Sequence, residues 1–219
     1  MDFNIAIDGP AGAGKSTVAK IVADKLNMTY IDTGAMYRAL TLLSIRNNKS
    51  DIDDIIELVK QADIKIVRDR IYINNEDVSN AIRSIEVTRE VSKIAKIPEI
   101  RLVLIQLQRE MAKSKGIVMD GRDIGTTVLP DAKYKFYLTA NVKERAIRRY
   151  REMIQKGQNV TLEQIEKDMI HRDCEDKMRD FSPLKAAEDA VIIDTTNKTM
   201  LQVVEEIIDR IKRGGDIVL

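Results

Sequence analysis

The chain of 219 residues carries 36 Lys plus Arg against 35 Asp plus Glu, a formal net charge of +1 at pH 7, so no bulk charge draws it to nucleic acid or to a membrane surface. Aromatic residues make up 4% with no Trp, which leaves few platforms for stacked bases, while 44% hydrophobic content suffices for one substantial core. The single Cys174 cannot close an internal disulfide, one His with one Cys cannot build a zinc site, and no apolar run reaches the ~18 residues that span a bilayer.

Met1-Asp2-Phe3-Asn4 has no basic stretch followed by an apolar one, so a cytoplasmic protein is expected. The run Phe3 to Asp8 is short, apolar and stopped by a glycine cluster, which predicts a buried parallel strand. Val18, Ile21, Val22 and Leu26 then recur at helical spacing, predicting a helix from Lys15 to Leu26. Thr29-Tyr30-Ile31 reads as a second strand ending at Asp32, and Ala35 to Ile45 as a second helix. From about 50 to 110 the pattern changes. Ile64 to Val67 and Ile71 to Ile73, separated by Arg68-Asp69-Arg70, predict an antiparallel hairpin in an inserted subdomain. Ile100 to Lys115 is a helix stopped by Gly116, after which Ile117 to Asp120, Tyr134 to Leu138 and Ala190 to Asp194 read as core strands. Helices near 142–156, 161–175 and 200–212 interleave with them. The expected fold is α/β, a five-stranded parallel sheet flanked by helices.

Gly9-Pro10-Ala11-Gly12-Ala13-Gly14-Lys15-Ser16 fits the phosphate-loop pattern between a strand and a helix. The glycines let successive backbone N–H groups face one concavity and the helix adds its positive N-terminal end. Lys15 reaches the β and γ phosphates, and Ser16 offers an oxygen to Mg²⁺. The motif points to ATP or a related triphosphate without choosing among GTPases, motor ATPases and small-molecule kinases. Asn48-Lys49-Ser50-Asp51 spells a guanine-reading motif but follows a helix instead of an apolar strand, and reads as coincidence. Asp120, the only acid closing Ile117-Val118-Met119, could hold the Mg²⁺ hydration shell.

Asp32-Thr33-Gly34-Ala35-Met36-Tyr37-Arg38 opens the second helix at the sheet's carboxyl edge, where the Thr33 hydroxyl can bind an acceptor and Arg38 can fork onto a phosphate. Asp120-Gly121-Arg122-Asp123-Ile124-Gly125-Thr126 sets a second Arg at the same edge. With Gly9 to Thr17, these segments resemble the bacterial cytidylate kinases, and the resemblance runs nearly end to end; the insert looks like that family's enlarged monophosphate-binding subdomain.

The resemblance implies a P-loop core of 1–49 and 111–219, with a lid at roughly 145–165, and an inserted monophosphate-binding subdomain at 50–110. It implies that Gly9 to Thr17 hold ATP, that Arg38, Arg122 and Arg179 hold the acceptor phosphate, and that Thr33 and Tyr37 lie against the same nucleotide. Ser92, Arg101 and Asp123 would read cytosine, while Arg172 and Asp176 would serve the ribose and phosphate sides. Thr33 stands where the family often has Ser, which keeps the hydroxyl. Within Arg145-Ala146-Ile147-Arg148-Arg149-Tyr150-Arg151, Arg148 and then Arg145 are the lid residues expected at the transferring phosphoryl group, with Lys15 and Arg122 the other catalytic cations.

The expected reaction passes the γ-phosphoryl group of MgATP to CMP or dCMP. A phosphate monoester has its second pKa near ~6 and needs no general base, so His171 is read as surface and Cys174 as inert. Another acceptor (UMP, shikimate or a coenzyme precursor) and a nucleotide-responsive binding protein are the alternatives. Without an unassigned apolar stripe, a monomer is expected.

Overall fold

The computed structural model describes residues 1–67, 70–155 and 157–216. Five strands, β1 (Ile5–Asp8), β2 (Thr29–Asp32), β6 (Ile117–Asp120), β7 (Tyr134–Thr139) and β8 (Val191–Asp194), form a sheet in the order β2-β6-β1-β7-β8. Every pairing is parallel. Strand alternation splits the core in two. Ile5 and Ile7 face α1 (Lys15–Lys25) and α8 (Met200–Arg213) through Val18, Val22, Val203 and Ile207. Ala6, Ile31 and Met119 face the other way, onto α2 (Thr33–Arg46) and α5 (Pro98–Met111). A small third cluster, Ala146, Ile165 and Met169, joins α6 (Val142–Gln155) to α7 (Leu162–Lys177).

Strand order reverses around β1, so the segments that leave the carboxyl ends of β1, β2 and β6 surround one crevice, the place where open parallel sheets take ligands.

The segment between α2 and β6 holds the expected hairpin, β3 (Ile64–Val67) with β4 (Arg70–Ile73), extended by β5 (Glu76–Asp77). Of the predicted turn, Arg68 and Asp69 lie outside the described residues. Two helices that the periodicity did not single out flank the hairpin, α3 (Ile52–Gln61) and α4 (Ile85–Ile94). They bury Ile55 and Val59, and Val87, Val91 and Ile94, in ten-residue stretches too short to stand out by pattern. Asp51 caps α3, its carboxylate accepting from the Asp53 N–H at 3.0 Å, and Lys49 pairs with Asp54 at 2.8 Å. The apparent guanine-reading motif is therefore a helix start.

Candidate active site

The phosphate loop is built almost entirely from backbone. At Gly9 a Cβ would stand 2.0 Å from the Leu138 carbonyl oxygen, so only glycine lets the chain turn off β1 against β7. Gly14 caps α1 in the left-handed region with φ 88°, which opens the first turn of that helix toward the crevice. Lys15 is buried and its Nζ donates to the Pro10 carbonyl at 2.9 Å, curling the side chain back over the loop. Burial, then the facing guanidinium groups of Arg122 and Arg172, push its ammonium down to about 7, with Asp120 and Asp8 pulling the other way.

Ser16 Oγ donates to Asp120 Oδ2 at 2.9 Å, and Tyr30 donates to the other carboxylate oxygen at 2.8 Å. Burial and neighbouring Asp32 raise the Asp120 carboxyl to about 6, against Lys15 and the two hydroxyls. Among the described residues no group of three or more His, Cys, Asp or Glu could hold a metal. One hydroxyl and one carboxylate, both hard oxygen donors beside a phosphate cradle, fit Mg²⁺, which keeps waters and takes phosphate oxygens.

The residues expected at the acceptor come from α2, α4, α5, the loop after β6, and α7 with the segment that follows it. Asp176 of α7 is buried, with Arg122 Nε on one oxygen at 2.9 Å and Arg179 Nη2 on the other. Burial would raise its carboxyl, but Arg122, Arg179 and Arg172 hold it below the usual range. One carboxylate thus holds both guanidinium groups. Arg172 is brought down to about 10, first by burial and then by Arg122, Arg38 and Arg179, with Asp176 pulling the other way. Arg38 donates to Thr88 of α4 at 2.9 Å and is lowered by burial, Arg149, Arg83 and Arg122. Arg172 Nε and Arg179 Nε are buried without a hydrogen-bond partner, donors that an anion could take up.

Arg101 is only 2% exposed, donates to Asp123 Oδ2 at 2.6 Å and to the Ala95 carbonyl at 3.1 Å, and lies over the Tyr37 ring at 5.4 Å. Tyr37, Arg101 and Asp123 thus form one packed group. Ser92 is half-buried on α4, three residues before Ala95. Thr33 is buried and its hydroxyl donates to the Asp120 carbonyl at 2.7 Å, tying the start of α2 to the end of β6, so its hydrogen is already engaged.

The two arginines of α6 expected in a lid part company. Arg145 donates from Nη1 to the Ala11 carbonyl of the phosphate loop at 3.0 Å and pairs with Asp173 at 2.7 Å. Arg148 instead donates to the Thr195 carbonyl at 2.6 Å and to its hydroxyl at 3.1 Å, beyond the end of β8. Arg122 and Arg172 thus act on Lys15, and Arg38, Arg122 and Arg179 on Arg172, one chain of neighbouring cations, with Arg145 bonded to the phosphate loop and Arg148 bonded instead at Thr195.

Three further residues went unread. Tyr30 steadies Asp120 and Asp173 holds Arg145, through long-range contacts that no local spacing reveals. Asp8 left a signal: an acid closing an otherwise apolar buried strand must find partners when buried.

A parallel sheet in this order, with a phosphate loop leaving its central strand, defines an α/β P-loop NTPase-type fold. A shikimate kinase from Acinetobacter baumannii, in complex with shikimate, superposes with a TM-score of 0.50 at 18% identity, covering 98% of this chain and 96% of that one. A shikimate kinase from Bacteroides thetaiotaomicron gives 0.51 at 15% identity, covering 98% and 99%. At such identities the likeness is one of fold. The family described as Cytidylate kinase matches residues 5–213. A cytidylate kinase from Alkaliphilus oremlandii is 51% identical over 215 residues, covering 97% of this chain and 99% of its own. One from Desulforamulus reducens is 54% identical over 215 residues, covering 96% and 97%. The chain belongs to the cytidylate kinase family.

Proposed function

We propose that this chain is an ATP-dependent nucleoside monophosphate kinase that passes the γ-phosphoryl group of ATP to CMP or dCMP. The observation that carries the reading is the clustering of Arg38, Arg122 and Arg179 around Arg172, with Arg122 and Arg172 acting on Lys15, cations enough for a triphosphate and a monophosphate side by side.

In this reading Gly9 to Thr17 hold the ATP phosphates, and Arg38, Arg122 and Arg179 hold the CMP phosphate, with Asp176 tethering two of those guanidiniums. Arg101 and Asp123, bonded to each other at 2.6 Å, would offer a donor and an acceptor to the cytosine edge, whose amino group suits a carboxylate and whose carbonyl suits a guanidinium. Ser92, Thr33, Tyr37 and Arg172 complete the nucleoside wall. Ser16 and Asp120 would hold Mg²⁺, which neutralises charge on the phosphates when bound.

The chemistry asks little of a proton acceptor. With a second pKa near ~6, the CMP phosphate is mostly dianionic at neutral pH and attacks as it stands. The task is to bring two polyanions into line and keep water out. Lys15 and Arg122 meet the first need, joined by a lid arginine; Arg145, already at the phosphate loop, is the better placed, with Arg148 securing the loop's outer flank. For the second, residues 50–110 would close as a monophosphate-binding subdomain and 145–165 as a lid. X-ray scattering should then report a smaller radius of gyration with CMP and an unreactive ATP analogue present, and identical profiles would count against closure.

The test is ADP release measured across a panel of nucleoside monophosphates. CMP and dCMP should give the fastest turnover. A rate indifferent to any monophosphate would leave an ATP-binding protein with slow hydrolysis, and a different preferred acceptor would move the assignment to another kinase.

A further inference from the structure

The acceptor loop after β6 carries Arg122 and Asp123 into a single turn of π-helix, Ile124–Val128. Such a turn begins with backbone N–H groups that have no partner within it, and the residue before it normally caps them with its side chain. Asp123 occupies that position and gives no such bond. Its carboxylate is committed to Arg101 at 2.6 Å.

The cap comes from another strand. Asp8, the last residue of β1 and 3% exposed, accepts from the Ile124 N–H at 2.8 Å and from the Gly125 N–H at 2.7 Å, one with each oxygen. Gly125 is closely packed: a Cβ there would come within 3.2 Å of Lys135 Cδ and 3.4 Å of Asp8 Oδ2. Asp8 is also the residue immediately before Gly9, where the phosphate loop starts. One carboxylate thus joins the root of the donor loop to the root of the acceptor loop.

We infer that Asp8 is a positioning residue that sets the spacing and register between the two phosphate sites, by capping from the donor strand the turn that aims Arg122 and Asp123. The inference rests on the reading that Arg122 and Asp123 serve the acceptor. Its physical basis is the steep cost of misplacement: a shift of about 1 Å between reacting groups lowers a rate by about 10²-fold.

Asp8→Asn is the variant of choice, since it keeps the shape but turns an NH₂ toward a backbone N–H, so one of the two bonds must go. The expected result is a fall in kcat/KM for CMP of about 10²-fold, with a smaller CMP over UMP preference, while the dissociation constant of MgADP without CMP stays within about twofold of wild type. Unchanged kcat/KM for CMP would overturn the inference, as would an equal loss of MgADP affinity, which would tie Asp8 to the phosphate loop alone. Asp123→Asn, run in parallel, separates the two levels: no effect on CMP there would sink the acceptor reading itself, whereas an effect there with none at Asp8 would sink only the role of Asp8. Should Asp8→Asn not fold, wild-type amide exchange decides. The Ile124 and Gly125 amide protons should exchange slowly, and exchange as fast as in an open loop would overturn the proposal.

Discussion

The proposed donor and acceptor sides solve the same electrostatic problem with different materials. The phosphate loop takes its cradle from eight consecutive residues, Gly9 to Ser16, and mostly from backbone N–H groups, with one side-chain cation, Lys15. The acceptor side takes side chains from α2, from the loop after β6, and from α7 and the residues that follow it, aligned by ion pairs such as Arg122–Asp176 at 2.9 Å. A backbone cradle is fixed as soon as one strand and one helix form. A side-chain cluster exists only when the whole fold is in place, and it brings like charges together, Arg172 being lowered first by burial and then by Arg122, Arg38 and Arg179.

That contrast is broken most severely at Arg122. Arg122→Ala removes an acceptor cation and leaves Asp176 with one partner fewer, so kcat/KM for CMP should fall by about 10³-fold while ATP binding survives; steady-state kinetics with ATP binding by calorimetry separates the two. Loss of both together would mean that the sides are not independently built.

Asp8 stands at the joint between the sides, facing Lys15 and Asp123. Burial lifts its carboxyl from 3.8 to about 7, which means that the folded state binds this proton more tightly than the unfolded one. Its contribution to stability is then complete below about pH 4 and is lost as pH rises through about 7, on the order of 4 kcal/mol across the range. Melting curves over that range should show wild type losing stability relative to Asp8→Asn as pH rises, and a constant difference would contradict the shift.

Base reading on the acceptor side can be sharpened at Asp123. Asp123→Asn should reduce the CMP over UMP preference by about 1–3 kcal/mol, about fivefold to about 150-fold, read as the ratio of the two kcat/KM values. The smallest effect belongs to the donor flank. Arg148→Ala loses hydrogen bonds to Thr195 and Thr196, so KM for ATP should rise about fivefold with KM for CMP unchanged.

The same contrast governs what was legible beforehand. The phosphate loop, all five parallel strands and the helices around them follow from local pattern, because glycine spacing and apolar periodicity act within a few residues. The insert was less legible: α3 and α4 each bury two or three side chains in ten residues, and their packing against the rest of the chain is what secures them. On the acceptor side the arginines could be picked out by their place after core strands and by family resemblance. The partners that orient them could not. Thr33 spends its hydrogen on the Asp120 carbonyl, Arg148 turns to Thr195, and Asp8 caps a turn more than a hundred residues away, all matters of tertiary distance.

The account depends on two anions lying within reach of each other in one crevice, and a single ligand can ask for both. A compound joining cytidine to adenosine through a polyphosphate bridge should bind one molecule per chain and compete with ATP and with CMP alike. Competition with ATP alone, with CMP still bound beside it, would contradict the shared crevice.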